Sequence, residues 1–271
     1  MMAAALVKLG LLVTIASINL GAIQRTGATE SVGEAQQKAK ELWEQAIEAK
    51  GGRERLYQVS SLAVSYRKEW RWFFKKYRQH FEFLYVFPNK AWRWLDDVPP
   101  LGLVADMFNL EQNIGWAVHD GPNPRPSSFK NDRIAELKGY VDLPQFLYLM
   151  ETRWVKPIPI EVTKDRIGLK RVDVVHTRVE GQRVRFLLDS KTHLPLRVAV
   201  LSQITEGRQI LLHSFSDYVQ IGGIQMPSKQ DGAALDFQLN PDYDENIFKR
   251  APSLAAGPKA WQRSAAKSAT Q

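Results

Sequence analysis

Five histidines and a scatter of carboxylates are the residues here whose types could do bond-making chemistry. The histidines are His80, His119, His176, His193 and His213. No two stand four apart and no His-Glu-x-x-His occurs, so the helical zinc-hydrolase arrangement is missing. His119-Asp120 is the only immediate histidine–acid neighbour pair. There is no Gly-x-Ser-x-Gly elbow, no phosphate-binding loop and no Gly-x-Gly-x-x-Gly turn. Gly222-Gly223 lies between strand patterns and opens no helix, so it is not a phosphate cradle. Glu161, Asp165, Asp173 and Asp189 could pair across strands, but nothing in their spacing brings them together. Asp189, before Ser190-Lys191-Thr192, reads as a turn residue. The absence of cysteine removes disulfides, thiolate metal sites, a thiolate nucleophile and a lipid-modified cysteine. The expectation is a protein with no catalytic residue, no metal and no cofactor.

The residues point to binding instead. From Leu62 the even positions are Leu62, Val64, Tyr66, Lys68, Trp70, Trp72 and Phe74, against Ala63, Ser65, Arg67, Glu69 and Arg71. The next run repeats the pattern on odd positions: Tyr77, Gln79, Phe81, Phe83, Tyr85 and Phe87, against Arg78, His80 and Glu82. Trp92 and Trp94 then alternate with Ala91 and Arg93. Period two predicts strands with one apolar and one wet face. The first would extend about 40 Å, roughly twice a typical strand. Long strands joined by short turns curl into a barrel or half-barrel, and a wide one is not filled by its own side chains. Trp70, Trp72, Phe81, Phe83, Tyr85, Trp92, Trp94 and Trp116 are therefore the candidate cavity-lining residues. Each taken singly also fits an ordinary core.

The run from Trp70 to Arg78 interleaves rings and cations, as a single-stranded nucleic-acid platform would. Alternation places Trp70 and Trp72 on one face and Arg71 on the other, and a platform needs both on one side. Nucleic acid is not an expected partner.

The elements around this face follow from composition and pattern. The chain has 271 residues, 44% hydrophobic and 24% charged, which suits one large β domain or two small ones. Its net charge of +8 favours anionic partners: acidic membrane surfaces, lipid head groups, nucleic acid or acidic protein. Lys8, the apolar run Leu9–Ile23 and Ala28 with Thr26 before it read as an export signal over residues 1–28, or as an uncleaved anchor. Either places the folded part outside the cytoplasm. Glu34 to Lys50 carries a helical stripe of Ala35, Ala39, Leu42, Trp43, Ala46 and Ile47, stopped by Gly51-Gly52. Asp96–Asp106 reads as a loop, and Met107–Asp120 as a strand pair in which Ile114, Trp116 and Val118 alternate. Lys130–Trp154 reads as a helix broken at Pro144. The second piece is apolar on most sides, and its Phe146, Leu147, Met150 and Trp154 are the candidate lid residues. From Ile160, turn signals every ten residues or so predict an antiparallel meander. One domain spans residues 29–250, with a basic tail without structure over 251–271.

Four segments resemble the LolA/LolB-like periplasmic outer-membrane lipoprotein-sorting carriers. They are the N-terminal helix running into Ala49-Lys50-Gly51-Gly52 and the strand opening Ser61-Leu62; Val184–Leu188 with Asp189, Thr192 and Leu194-Pro195; Phe215-Ser216-Asp217-Tyr218 leading to Gly223-Ile224 and Pro227; and a closing Asn246-Ile247-Phe248 strand. The resemblance covers roughly residues 35–250. It implies an α+β fold, mostly β: an unclosed, strongly curved antiparallel barrel with a helical lid over a hydrophobic cavity. It further implies a periplasmic, non-enzymatic carrier of lipoprotein acyl chains or other lipids, with membrane proteins as donor and acceptor. Lid closure in the carrier proper uses an arginine in an early strand, for which Arg67, Arg71 and Arg93 are all candidates. Without a cysteine the chain resembles the soluble member rather than the anchored acceptor. An envelope sensor or interaction module on the same fold, with a self-filled core, is the alternative; a hydrolase of lipid-linked substrates is a third.

Overall fold

A computed structural model describes residues 31–72, 75–98, 102–120, 125–129, 137–204 and 207–262. The export segment lies outside them. Helix α1 (Val32–Lys50) opens on a capping box, in which Ser31 Oγ accepts from Glu34 N and Glu34 Oε2 accepts from Ser31 N. Such a box satisfies two otherwise orphaned amides. Gly51 ends the helix at φ 133°, and a Cβ there would lie 2.5 Å from Gly223 O, so the end of α1 closes directly on a strand turn. A short α2 (Arg53–Gln58) follows.

Five strands come next: β1 (Ser61–Trp72), β2 (Lys75–Val86), β3 (Lys90–Val98), β4 (Gly102–Asn109) and β5 (Ile114–His119), then a two-residue β6 (Ser127–Ser128). After α3 (Lys138–Leu149) the meander runs β7 (Ile158–Ile167), β8 (Lys170–Val179), β9 (Gln182–Asp189), β10 (Pro195–Ile204), β11 (Gly207–Ile221), β12 (Ile224–Gln230) and β13 (Ala233–Leu239). All thirteen form one antiparallel sheet in the order β6-β5-β4-β3-β2-β1-β13-β12-β11-β10-β9-β8-β7. The sheet is strongly curved and not closed, with β6 and β7 as its edges, and helices cover its concave face. One continuous buried cluster runs on that face from Phe108 of β4 to Val175 of β8 through α1 and α3.

Several sequence expectations need correction. β3 runs to Val98 and β4 starts at Gly102, so the loop expected over Asp96–Asp106 is mostly strand. Pro144 does not break the helix: α3 passes through it and ends at Met150, at φ 68°, well before Trp154. A proline interior to a helix removes one donor and crowds a carbonyl; burial of nearly the whole of α3 from Val141 to Leu149 outweighs that. Residues 130–136 lie outside the described set. Asn246-Ile247-Phe248 is not a strand but part of a 3-10 turn, Glu245–Phe248, capped by the Asp244 carboxylate. The chain is also packed well past residue 250. Trp261 is buried, its backbone carbonyl accepts from Asp244 N, and Gln262 bridges Tyr243. An indole outweighs the small polar residues around it that suggested a loose tail. Residues 263–271 lie outside the described set.

Candidate functional site

Register decides which aromatic residues share a surface. Leu62, Val64 and Tyr66 of β1 stand opposite Tyr85, Phe83 and Phe81 of β2, and opposite Leu239, Phe237 and Leu235 of β13. Directly opposed residues in an antiparallel ladder project from the same face. Here it is the concave one. The rings form a ladder: Tyr66 to Phe81 at 4.5 Å, Phe81 to Phe83 at 6.1 Å, Phe83 to Tyr85 at 5.8 Å between centroids. Tyr85 is buried at the core end, whereas Phe83, Phe81 and Tyr66 are only partly buried. The ladder thus leads from the packed interior toward the free end of the β1–β2 hairpin. The backbones of Trp70 and Trp72 lie further along β1, opposite Tyr77 and Lys75; their side chains are outside the described set.

Trp92, Trp94 and Trp116 do not join this surface. Tyr85, Phe83 and Phe81 face Ala91, Arg93 and Leu95, while Trp92 and Trp94 face Leu84 and Glu82. Trp116 faces Met107, which faces Trp92. All three tryptophans lie on the convex face, in a second cluster with Leu84, Met107 and Val118 that Ile247, Phe248 and Trp261 cover. The turn Phe87-Pro88-Asn89 joins Val86 to Lys90 and keeps odd positions on one face from β2 into β3. The tryptophans of β3 occupy even positions. That turn length was the available signal.

The expected lid residues lie in α3 and just past its end. Phe146, Leu147 and Met150 are buried beneath or within α3, and Trp154, beyond its end, is partly buried 6.0 Å from the Phe87 ring. Tyr148, not singled out from sequence, makes the most specific contact. Its ring meets Phe237 at 5.1 Å, and its hydroxyl donates to Gln230 Oε1 at 2.7 Å. At the far end of α3, buried Glu151 accepts from Trp43 Nε1 at 3.0 Å, Arg53 Nε at 2.9 Å and the Tyr57 hydroxyl. Arg53 also pairs with Glu44 at 2.7 Å. Burial alone would raise the Glu151 carboxyl; the donors Arg53, Tyr57 and Trp43 outweigh it and hold the group below its usual range. A single carboxylate thereby ties α3 to α1 and α2.

Of the three candidate arginines, only Arg93 stands under α3. It lies on the concave face, where its guanidinium makes two 2.7 Å bonds to Asp106 and sits 4.7 Å from the Tyr140 ring of α3. Arg67 and Arg71 are exposed on the opposite face, aligned with His80 and Lys76. Lys50, at the end of α1, is buried, donates to Gln225 O and lies 5.1 Å from the Tyr218 ring. Burial pushes its pKa down to about 7.

The four carboxylates singled out from sequence have structural partners. Asp189 accepts from Lys191 N at 2.7 Å and Thr192 N at 3.1 Å, as its turn reading requires. Glu161, Asp173 and Asp189 face His176, Lys164 and Lys170 rather than one another. Among the described residues no group of three or more His, Asp and Glu is placed to hold a metal ion. Two open hollows, of about 420 Å³ and about 430 Å³, are lined by charged and polar residues and glycine. One lies on the β1–β2 hairpin and the other where α1 meets α2. No helix among the described residues is long and apolar enough to cross a membrane.

No family model and no curated protein matches the chain. Among solved structures it is similar to a LolA superfamily protein from Nitrosomonas europaea, at 13% identity over 78% of this chain and 97% of that one, with a TM-score of 0.45. It is similar to a DUF1329 family protein from Desulfovibrio piger, at 11% identity over 78% and 96%, with a TM-score of 0.42. A third similarity is to an outer membrane lipoprotein-sorting protein domain from Vibrio parahaemolyticus, at 12% identity over 79% and 97%, with a TM-score of 0.39.

Proposed function

We propose that this protein is a non-enzymatic carrier, exported to the cell envelope, that takes the hydrocarbon chain of a lipid or lipoprotein between its concave sheet face and α3. The observation that carries this is the aromatic ladder. Tyr66, Phe81 and Phe83 continue the core outward along the concave face without being fully covered. An apolar stripe that runs from a core to an open edge suits a guest of the same shape. A sixteen-carbon chain offers on the order of 12 kcal/mol of gross burial, at about 0.8 kcal/mol per methylene. Ordering the chain and displacing α3 reduce that to a reversible grip. α3 is the candidate for displacement: besides the buried face from Val141 to Leu149, polar contacts locate its two ends, Arg93 beneath Tyr140, and Glu151 on Trp43, Arg53 and Tyr57. Polar contacts can be exchanged for water at modest net cost.

A specific observation favours a second reading, a sensor or interaction module. Trp43 packs on Phe186 at 4.9 Å and Tyr148 on Phe237 at 5.1 Å, so helix side chains occupy the concave face. Native mass spectrometry after gentle purification, with uptake of a fluorescent fatty acid, separates the two. A co-purifying acyl species and saturable uptake weakened at least tenfold by Phe83→Ala are expected. A clean apo mass without uptake overturns the carrier role in favour of the second reading.

A further inference from the structure

The β1–β2 hairpin extends well past the core, and its outlying half has a pronounced charge. Between Arg67 and Arg78 the chain holds six basic residues and one acid, Glu69. Arg67, Lys68, Arg71, Lys76 and Arg78 are all exposed. Register sorts them: Arg67 faces His80, Glu69 faces Arg78 and Arg71 faces Lys76, all on the convex face. Glu69 pairs with both Lys76 and Arg78, which leaves the outer face of the hairpin strongly cationic. It borders the open hollow of about 420 Å³, where Arg67, Lys68, Arg78 and His80 face Glu69 and Asp96.

We propose that the outer face of the β1–β2 hairpin, through Arg67, Arg71 and Lys76, docks the protein on an anionic phospholipid bilayer. Charge complementarity selects this partner. Anionic headgroups attract a cluster of lysines and arginines additively, and the attraction dies within a Debye length. The two-faced build favours a membrane over nucleic acid: Arg67, Arg71, Lys76 and Arg78 share the outer face, while Lys68 and Lys75 take register positions with the aromatic ladder, so most of the cationic charge lies away from the rings that would stack on bases. Seated on headgroups, the hairpin leaves the ladder clear on the concave side. Docking stands on the charge and placement of the hairpin and does not require that the concave face hold a guest.

The test is co-sedimentation of the full chain with phosphatidylcholine vesicles with and without phosphatidylglycerol. Binding to the anionic vesicles at low salt, released by high salt and absent on pure phosphatidylcholine, is expected. Arg67→Gln, Arg71→Gln and Lys76→Gln should each weaken it about fivefold, and the triple variant on the order of a hundredfold. A control triple at Arg171, Arg178 and Arg183, exposed on distant β8 and β9, should change it by less than about twofold. An equal loss in the control means undirected basic charge and overturns the assignment. So does failure of the wild-type chain to bind anionic vesicles. A single-stranded oligonucleotide that displaces the vesicles and shows the same dependence on Arg67, Arg71 and Lys76 would reassign the surface to nucleic acid. Fatty-acid uptake is measured separately, so a chain that takes up fatty acid but ignores vesicles defeats docking alone.

Discussion

The two faces of strands β1 to β5 carry similar aromatic weight and are finished differently. On the convex face Trp92, Trp94 and Trp116 meet a strap of the chain itself, with Phe248 and Trp261 sealed over them. On the concave face Tyr66, Phe81 and Phe83 stack on one another and stay partly open. Aromatic residues covered by their own chain contribute stability. Aromatic residues left partly covered at the edge of the core are, on the proposed reading, available to a guest. Count and spacing of tryptophans did not separate the two; the covering segment does.

Substitutions can break that contrast. The largest effect is expected at Trp92, where Trp92→Ala should cost about 3–5 kcal/mol of unfolding free energy and leave fatty-acid uptake of the folded chain unchanged. A combined denaturant and uptake series reads both. Phe83→Ala is the counterpart, with a stability loss of only about 1 kcal/mol because the ring is partly exposed already, but with uptake reduced at least tenfold. If the two variants behave alike, the contrast between the faces is not functional.

Lys50 tests the anchorage of the concave side by pH. Its folded pKa of about 7 lies below the unfolded value near 10.4. The unfolded chain therefore binds more protons between those values, and stability should rise with pH across that window. About 3–5 kcal/mol of pH-dependent stability is expected from urea midpoints between neutral pH and pH ~10, and Lys50→Met should flatten the curve.

Glu151→Gln weakens the tie between α3 and α1–α2. A loss of about 1–2 kcal/mol is expected at neutral pH, with faster uptake if α3 is the moving part. The Glu151 pKa is lowered on folding, so its contribution is present above the unfolded carboxyl pKa and is lost as pH falls through the folded one. The variant should lose that acid-side dependence. The smallest effect is expected on the convex face, at Glu82. Its Oε1 accepts from Trp261 Nε1 at 3.3 Å, and its other oxygen makes no hydrogen bond among the described residues, with His80 Nε2 at 3.5 Å. Burial raises its pKa, so its contribution is present below the unfolded carboxyl pKa and is lost as pH rises. Glu82→Gln should therefore be neutral or stabilising by roughly 0.5–1 kcal/mol at pH 7, read as a small rise in Tm.

Much of the fold was legible because local periodicity is strong here. The stripe of α1, the Gly51-Gly52 stop and the turns at Glu180-Gly181 and Gly222-Gly223 all stand where pattern placed them. The first two strands pair as their alternation required, Val64 against Phe83 and Tyr66 against Phe81. The site was legible only in part. Phe81, Phe83 and Tyr85 lie together on the concave face, but Trp92, Trp94 and Trp116 were grouped with them by residue type alone. Tyr148 and Glu151 were missed because each acquires its role from a partner about eighty to a hundred residues away, Gln230 and Trp43. Trp261 was missed because its neighbours are small and polar, and burial of one large ring needs no periodic pattern.

The amino-acid sequence alone therefore determined that long amphipathic strands form, where they turn, and that the chain lacks cysteine chemistry, since each follows from neighbouring residues and backbone geometry. Only the tertiary structure decided which aromatic rings face inward, which arginine lies beneath the covering helix and how far the packed chain extends. Those outcomes depend on strand register and on contacts between segments far apart in the chain, where one residue more or less in a turn moves a whole strand's side chains to the other face.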